Sequence, residues 1–139
     1  MDKRIAGDTI AAAIAYFILV FAVGFLLGAL RTLVVVPRLD NPHGKTVGVL
    51  IELPLILAVS WSICRWLTSR FEVSPDVAPR LLMGAFALAL LLLAEFLLAT
   101  AVFGRTVAAQ ILQYQYAPEM LGLAGQILFS LFPLVQSRR

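Results

Sequence analysis

Four long apolar runs constrain this chain more than any other feature of its sequence. A sliding window of about 19 residues finds the runs at 10–36, 47–67, 81–103 and 120–135. Hydrocarbon offers no water to unpaired backbone groups, so a segment that crosses it must form a helix or part of a closed barrel. Barrel strands alternate in polarity, and these runs do not. The sequence therefore predicts four transmembrane helices.

The composition supports a membrane location. Hydrophobic residues make up 61% of the 139 residues and charged residues 14%, against about 45–50% and about 25% in soluble domains. Polar side chains are too few to cover a water-facing globule. At about 20 residues per span the length suits one bundle. We expect an all-α, polytopic fold, a single transmembrane domain over residues 1–139 that forms an antiparallel four-helix bundle with short loops and is surrounded by membrane lipids.

The connections between the runs are short. Proline and glycine mark the segments 38–46 and 68–79 as turns. The longest link, 105–117, interleaves apolar residues with glutamines and fits either a short helix on the outer membrane surface or a plain loop. None of the connections leaves room for an extramembrane catalytic domain.

The basic residues predict the orientation. Seven Lys and Arg residues fall on the side of the two termini: Lys3, Arg4, Arg65, Arg70, Arg80, Arg138 and Arg139. Only Arg38, Lys45 and Arg105 fall on the other side. Cytoplasmic flanks are the ones enriched in Lys and Arg, so both termini are predicted in the cytoplasm, with the bacterial inner membrane as location. The first run exceeds the 7–15 residues of a signal-peptide core and is predicted to be a retained span.

Three ionisable residues lie inside the predicted spans. Arg31, Glu52 and Glu95 fall in the first, second and third runs. Because successive spans alternate in direction, all three are placed in the outer leaflet. Charged side chains within a membrane are costly and usually face protein or water. The sequence therefore predicts a buried polar cluster of these residues.

Small residues accompany the cluster at helical spacing. Gly24 and Gly28 share a helix stripe with Arg31, and Gly48 precedes Glu52 by one turn. Glycines at such spacing allow close helix packing in membranes. We expect these three glycines to be helix-packing positions.

The fourth span adds two candidates for an extension of the cluster. Glu119 and Gln126 lie on one stripe that starts in the outer leaflet. Glu119 follows Pro118, and a carboxylate also favours a helix N-terminus for purely structural reasons. Gln126 fits a hydrogen bond between helices equally well.

The charges of the cluster leave two interpretations open. Arg31 and Glu52 fit a structural ion pair that fixes helix register, or a working site. With two acids facing one Arg, one carboxyl is expected to hold its proton, or a cation or another side chain completes the site. Glu95 is the acid predicted to stay protonated, because its surroundings are almost entirely Leu and Ala.

Several classes of chemistry lack their residues. One cysteine, Cys64, and one histidine, His43, leave no metal-ligand set and no haem ligation by paired histidines. His43, the one candidate base for a catalytic triad, is predicted on the opposite side of the membrane from Ser60 and Ser62. No phosphate-binding loop is present. The net charge of +3 suits lipid headgroups better than nucleic acid. We predict no catalytic residues, cofactor, metal or nucleic-acid partner.

A set of short motifs resembles a known group of proteins. The motifs are Gly28-Ala29-Leu30-Arg31, Val36-Pro37-Arg38, Glu52-Leu53-Pro54, Arg65-Trp66 and Ala94-Glu95. They are similar to those of short four-helix inner-membrane proteins of proteobacteria that carry no assigned activity. The resemblance implies location and helix number only.

Three functions remain open at this point. The first is a non-enzymatic accessory subunit that docks on a larger membrane complex, or self-associates, through its small-residue helix faces. The second is a small oligomeric proton- or cation-linked transporter that uses Glu52 and Glu95, tuned by Arg31. The third is an enzyme acting on a lipid or quinone at the outer leaflet. The short loops favour the first.

Overall fold

The computed structural model describes residues 2–138 as helices joined by short connections. The helices are α1 (Lys3–Leu30), α2 (Val36–Arg38), α3 (Gly44–Arg70), α4 (Val77–Ala101), α5 (Val107–Gln113) and α6 (Ala117–Gln136). A π-helical turn, Arg31–Val35, joins α1 to α2, so the first span runs without interruption from Lys3 to Arg38. Four helices are long and apolar enough to cross a membrane. The predicted all-α bundle of four spans is confirmed.

The observed helices differ from the predicted runs mainly at their ends. The first begins at Lys3 instead of residue 10, because polar residues continue a helix beyond its apolar stretch. The third predicted run corresponds to α4, which ends at Ala101 instead of the predicted residue 103. Gly104 has a positive φ of 63° there, and the amide of Arg105 donates back to the carbonyl of Ala99 at 3.0 Å, which closes the helix end.

The four long helices pack in a ring. Both α1 and α6 pack against α3 and α4, so α1 faces α6 across one diagonal and α3 faces α4 across the other. Because consecutive spans reverse direction, each helix has one antiparallel and one parallel neighbour. The end of the bundle that holds Lys3 and Gln136 is called here the terminal end, and the opposite end the distal end.

The hydrophobic core fills the terminal half of the bundle. Its largest members are fully buried residues from α1, α3 and α4, namely Tyr16, Leu67 and Met83. A close helix contact joins α4 to α6, where a Cβ on Gly84 would collide with the backbone carbonyl of Ser130. This half of the bundle is therefore tightly packed.

Tyr16 and Phe129 join α1 to α6 across the core. Their rings stack with centroids 4.2 Å apart, and the Tyr16 hydroxyl donates to the Phe129 carbonyl at 2.9 Å. In a regular helix that carbonyl would accept from the residue four positions later, which is Pro133 and has no N–H. Tyr16 thus supplies the hydrogen bond that the proline removes from α6.

Arg80 holds the connection between α3 and α4. Its Nε donates to the carbonyl of Ser74 at 3.0 Å and its Nη2 to that of Val73 at 3.1 Å. The residue is only 9% exposed, so one of the basic residues counted for orientation is a buried structural residue. Arg139, also counted there, lies outside the described residues.

Candidate functional site

Side chains of the distal half enclose a half-open cavity of about 460 Å³, called here the distal cavity. All four long helices and α5 contribute to its wall. Its lining combines charged and amide side chains with phenylalanines: Arg31, Lys45, Glu52, Glu95, Gln110, Gln113, Glu119, Gln126, Phe21, Phe25, Phe103 and Phe129. The volume falls within the roughly 300–1,000 Å³ of small-molecule sites. The lining contains the in-membrane charges singled out in the sequence.

Arg31 and Glu52 form an ion pair in the wall of the cavity. Arg31 Nη1 lies 2.5 Å from Glu52 Oε2, and the two side chains are 24% and 16% exposed. Arg31 is the first residue of the π-helical turn, a feature often found at functional sites. The structure thus brings together two of the three residues of the predicted cluster.

Glu95 has a different partner from the one expected. Its Oε1 accepts a hydrogen bond of 2.6 Å from Nε2 of Gln126, which links α4 to α6. The ion pairs among residues 2–138 are Arg31 with Glu52 and Lys45 with Glu119, so neither includes Glu95. The single side-chain oxygen of Gln126, Oε1, is buried and has no hydrogen-bond partner. Gln126 therefore joins the site, in the role of a hydrogen-bonding bridge between helices.

Both acids lie well inside their helices, counted from the distal end of the bundle. Glu52 lies eight residues after the start of α3 at Gly44, and Glu95 lies six residues before the end of α4 at Ala101. These positions correspond to about 12 Å and about 9 Å along the helix axes. Both acids therefore lie in the distal half of the bundle, each more than one helical turn from the end of its helix.

Glu119 reaches the cavity near its mouth. Its Oε1 accepts from Lys45 Nζ at 2.6 Å, with side-chain exposures of 18% for Glu119 and 59% for Lys45. Its Oε2 is buried without a partner. Glu119 lies in the first turn of α6, where a carboxylate favours the helix N-terminus. It also lines the cavity.

Two of the three predicted packing glycines face the cavity. A Cβ on Gly24 or Gly28 would have as its nearest neighbours Ile56 Cδ1 at 3.9 Å and Arg31 Nη2 at 3.8 Å. Gly48 is different, since a Cβ there would lie 2.8 Å from Arg31 Cγ. A Cβ on Gly24 or Gly28 would therefore make only ordinary van der Waals contacts, whereas Gly48 makes room for the arginine.

Two close contacts escaped the sequence analysis. A Cβ on Gly125 would lie 2.6 Å from Leu53 Cδ1, and Gly84 meets the backbone of Ser130. Neither glycine is followed four residues later by another small residue, as Gly24 is by Gly28. The predicted packing positions were glycines that share a helix stripe with Arg31 or Glu52, and this criterion does not select Gly84 or Gly125.

The short helix α5 closes part of the distal end. Thr106 caps it by accepting from the amide of Ala109 at 3.1 Å. Gln110 and Tyr114 face the cavity, while Val107 and Ile111 are more than half exposed. Of the two interpretations of the link 105–117, a helix is the one observed.

Tyr114 is a titratable group of the cavity that lies outside the spans. Burial and, to a smaller extent, the nearby Glu95 carboxylate raise the pKa of its hydroxyl, while a hydrogen bond with Gln110 opposes the shift. The hydroxyl is therefore protonated at neutral pH and is a hydrogen-bond donor at the cavity wall.

Known proteins give no further identification. No protein-family model, curated protein sequence or solved structure matches the chain. Residues 2–138 contain no group of three or more His, Cys, Asp or Glu side chains placed to hold a metal ion. The protein is an integral membrane protein with four long apolar helices in residues 2–138, and its function has to be argued from the distal cavity.

Proposed function

We propose that this membrane protein binds a small ligand in the distal cavity, with its in-membrane acids contributing to the site. The observation that carries the proposal is the cavity itself, of about 460 Å³, lined by charged and amide side chains of the spans and α5. A bundle that serves only as a scaffold has no use for such a space, because every buried polar group costs stability. Of the functions left open by the sequence, this supports the proton- or cation-linked transporter.

The contrast between the two halves of the bundle supports the proposal. The terminal half is closed by the stacked Tyr16 and Phe129 and by the contact of Gly84 with Ser130. The distal half is half open. A binding site that is accessible from one side and closed on the other is what the first step of transport requires.

Docking on a larger complex or self-association remains a prediction with less support. It relied on Gly24 and Gly28, which face the cavity and not the lipid.

We also propose that the protein lies in the bacterial inner membrane with both termini in the cytoplasm, in keeping with the resemblance to short proteobacterial inner-membrane proteins. This orientation places the mouth of the cavity on the periplasmic side. The bias of Lys and Arg supports this orientation.

Thiol labelling in intact membranes tests whether the cavity admits solutes. In a Cys64→Ala background, Gly28→Cys places a thiol in the cavity, and Leu26→Cys places one at a position that is 68% exposed on the lipid side of the same helix. A membrane-impermeant, charged methanethiosulfonate added from the periplasmic side should modify Gly28→Cys many times faster than Leu26→Cys, because a thiol in hydrocarbon does not ionise. Equal protection of both thiols would contradict the proposal.

A further inference from the structure

The buried side-chain atoms of the distal cavity that have no hydrogen-bond partner are all oxygens. Among residues 2–138, the buried atoms without a hydrogen bond that line this cavity are Gln110 Oε1, Glu119 Oε2 and Gln126 Oε1. Each is an acceptor, and none is a donor. Buried acceptors without partners are costly. A ligand that brings hydrogen-bond donors would satisfy these acceptors.

Glu95 is the acid expected to hold its proton unless a cation completes the site, and no basic side chain among residues 2–138 forms an ion pair with it. Its described partner is the neutral amide of Gln126, whereas Glu52 and Glu119 each have a basic partner. A carboxylate in a low-dielectric setting is stabilised by an opposite charge nearby. The Gln126 amide places its partnerless carbonyl oxygen on the same side chain that already contacts Glu95. The two residues together form an acceptor site that has no basic side chain of residues 2–138 paired with it.

Apolar surface surrounds this acceptor site. Leu98 and Leu123, which are half-buried and lie one helical turn from Glu95 and Gln126, both line the cavity. Phe21 and Ile56 extend the apolar wall along α1 and α3. A bare metal ion would leave this surface in contact with water, whereas an organic substituent would cover it.

We propose that the distal cavity binds a primary ammonium cation with an aromatic or alkyl substituent, its nitrogen between the Glu95 carboxylate and the Gln126 carbonyl. The inference rests on the proposed function and names its ligand class. An ammonium group has three N–H donors and one positive charge, which matches both the acceptors and the missing counter-charge. The substituent lies against Leu98 and Leu123.

The positive side chains of the cavity do not oppose such a ligand at this position. Arg31 is paired with Glu52, and Lys45 with Glu119. Arg105 donates to Gln113 at 2.7 Å and lies 5.8 Å from the centre of the Phe103 ring. It is an exposed residue of the link to α5, where water and salt screen its charge.

Three probes of similar shape separate charge from donor capacity. We would measure binding of 2-phenylethylammonium, its N,N,N-trimethyl analogue and 2-phenylethanol by isothermal titration to the full chain in phosphatidylcholine nanodiscs. The unaltered protein should bind the primary ammonium most tightly, the trimethyl analogue less tightly and the alcohol weakest. A charge-assisted hydrogen bond corresponds to about tenfold or more in affinity, so the primary ammonium should lose that factor in Glu95→Gln.

The controls keep the outcome decisive. Glu72→Gln removes the same charge at an exposed position outside the cavity and should bind like the unaltered protein. Gln126→Leu removes the acceptor without changing the charge and should also weaken binding. Equal affinity for the ammonium and the alcohol, or unchanged binding in both Glu95→Gln and Gln126→Leu, would overturn the inference.

The two proposals fail separately. Reactive Gly28→Cys with no preference for the ammonium would leave ligand binding standing and refute the ligand class. Protected Gly28→Cys would refute the open cavity itself. The comparison of the three probes uses the unaltered chain, so it decides the matter even where a variant does not fold.

Discussion

The aliphatic part of Arg31 lies against the bare Cα of Gly48. A Cβ on Gly48 would lie 2.8 Å from Arg31 Cγ and 3.0 Å from Cδ, both closer than ordinary contacts allow. From this position Arg31 reaches Glu52, one helical turn further along α3. The ion pair in the cavity wall therefore depends on the absence of a side chain at residue 48.

We predict that Gly48→Ala destabilises the protein by about 1–3 kcal/mol, the usual cost of overpacking. The crowded atoms belong to the middle of the arginine side chain, which cannot move without drawing the guanidinium away from Glu52. Thermal unfolding in mild detergent measures the change.

Gly122→Ala is the matched control for this substitution. Nothing lies within 4 Å of a Cβ at residue 122, and replacing a helical glycine by alanine is favourable by up to about 1 kcal/mol. This variant should be neutral or stabilised. If both alanine variants behaved alike, the contact between Gly48 and Arg31 would have no energetic weight.

The two ion pairs of the cavity should differ in their contribution to stability. Arg31 and Glu52 are 24% and 16% exposed, whereas Lys45 is 59% exposed. Removing one partner of a fully buried pair costs about 3–5 kcal/mol, and an exposed pair contributes about 0–1 kcal/mol. We expect Arg31→Gln to cost about 1–2 kcal/mol and Lys45→Gln less than about 0.5 kcal/mol.

Salt distinguishes the two pairs further. High ionic strength screens exposed charges more than partly buried ones. The cost of Lys45→Gln should vanish in concentrated salt, while most of the cost of Arg31→Gln should persist. A larger effect of Lys45→Gln would mean that the exposed pair, and not the partly buried one, stabilises the distal half.

The sequence predicted the spans because their cause is local. Each apolar run must form a helix wherever it enters hydrocarbon, and no other part of the chain is needed to establish this. The pairing of Arg31 with Glu52 followed from their shared leaflet and opposite charges. Such arguments need only position along a helix and the alternation of direction.

The remaining features depend on how the helices are arranged around the ring. Whether Glu95 meets Arg31 or Gln126 is decided by the packing of α4 against both α1 and α6, and hydropathy says nothing about ring order. The same holds for Gly84, whose contact with Ser130 belongs to one particular pair of helices. The sequence could not show that Arg80 is a buried structural residue, because its two acceptors are backbone carbonyls of the loop. Backbone carbonyls are present at every residue and form no sequence pattern.

Replacing Arg80 by lysine should loosen the connection between α3 and α4. The guanidinium reaches the carbonyls of Val73 and Ser74 through two different nitrogens, and a lysine ammonium is a single point that does not reproduce this fork. We expect a loss of about 1–2 kcal/mol and faster amide hydrogen exchange in residues 71–76.

Arg70→Lys provides the control for this prediction. Arg70 is exposed at the end of α3, and surface substitutions usually stay within about 0.5 kcal/mol. Equal exchange rates in the two lysine variants would show that the connection holds without its arginine.

The hydrogen bond from Tyr16 to Phe129 yields the most specific prediction. Tyr16→Phe keeps the stacked ring and removes only the hydroxyl, which leaves the Phe129 carbonyl without a donor, because Pro133 has no N–H. The expected cost is about 1–2 kcal/mol.

Pro133→Ala restores the missing backbone N–H and should make the tyrosine hydroxyl dispensable. In that background we expect Tyr16→Phe to cost less than about 0.5 kcal/mol, so the two substitutions couple in a double-mutant cycle. The Cys64 thiol also contacts the Tyr16 hydroxyl, but this contact is lost in both backgrounds and cancels. Unfolding measured for the four proteins under one detergent condition gives the coupling. A cost of Tyr16→Phe that is the same with proline and with alanine would mean that the hydroxyl does not compensate for the proline.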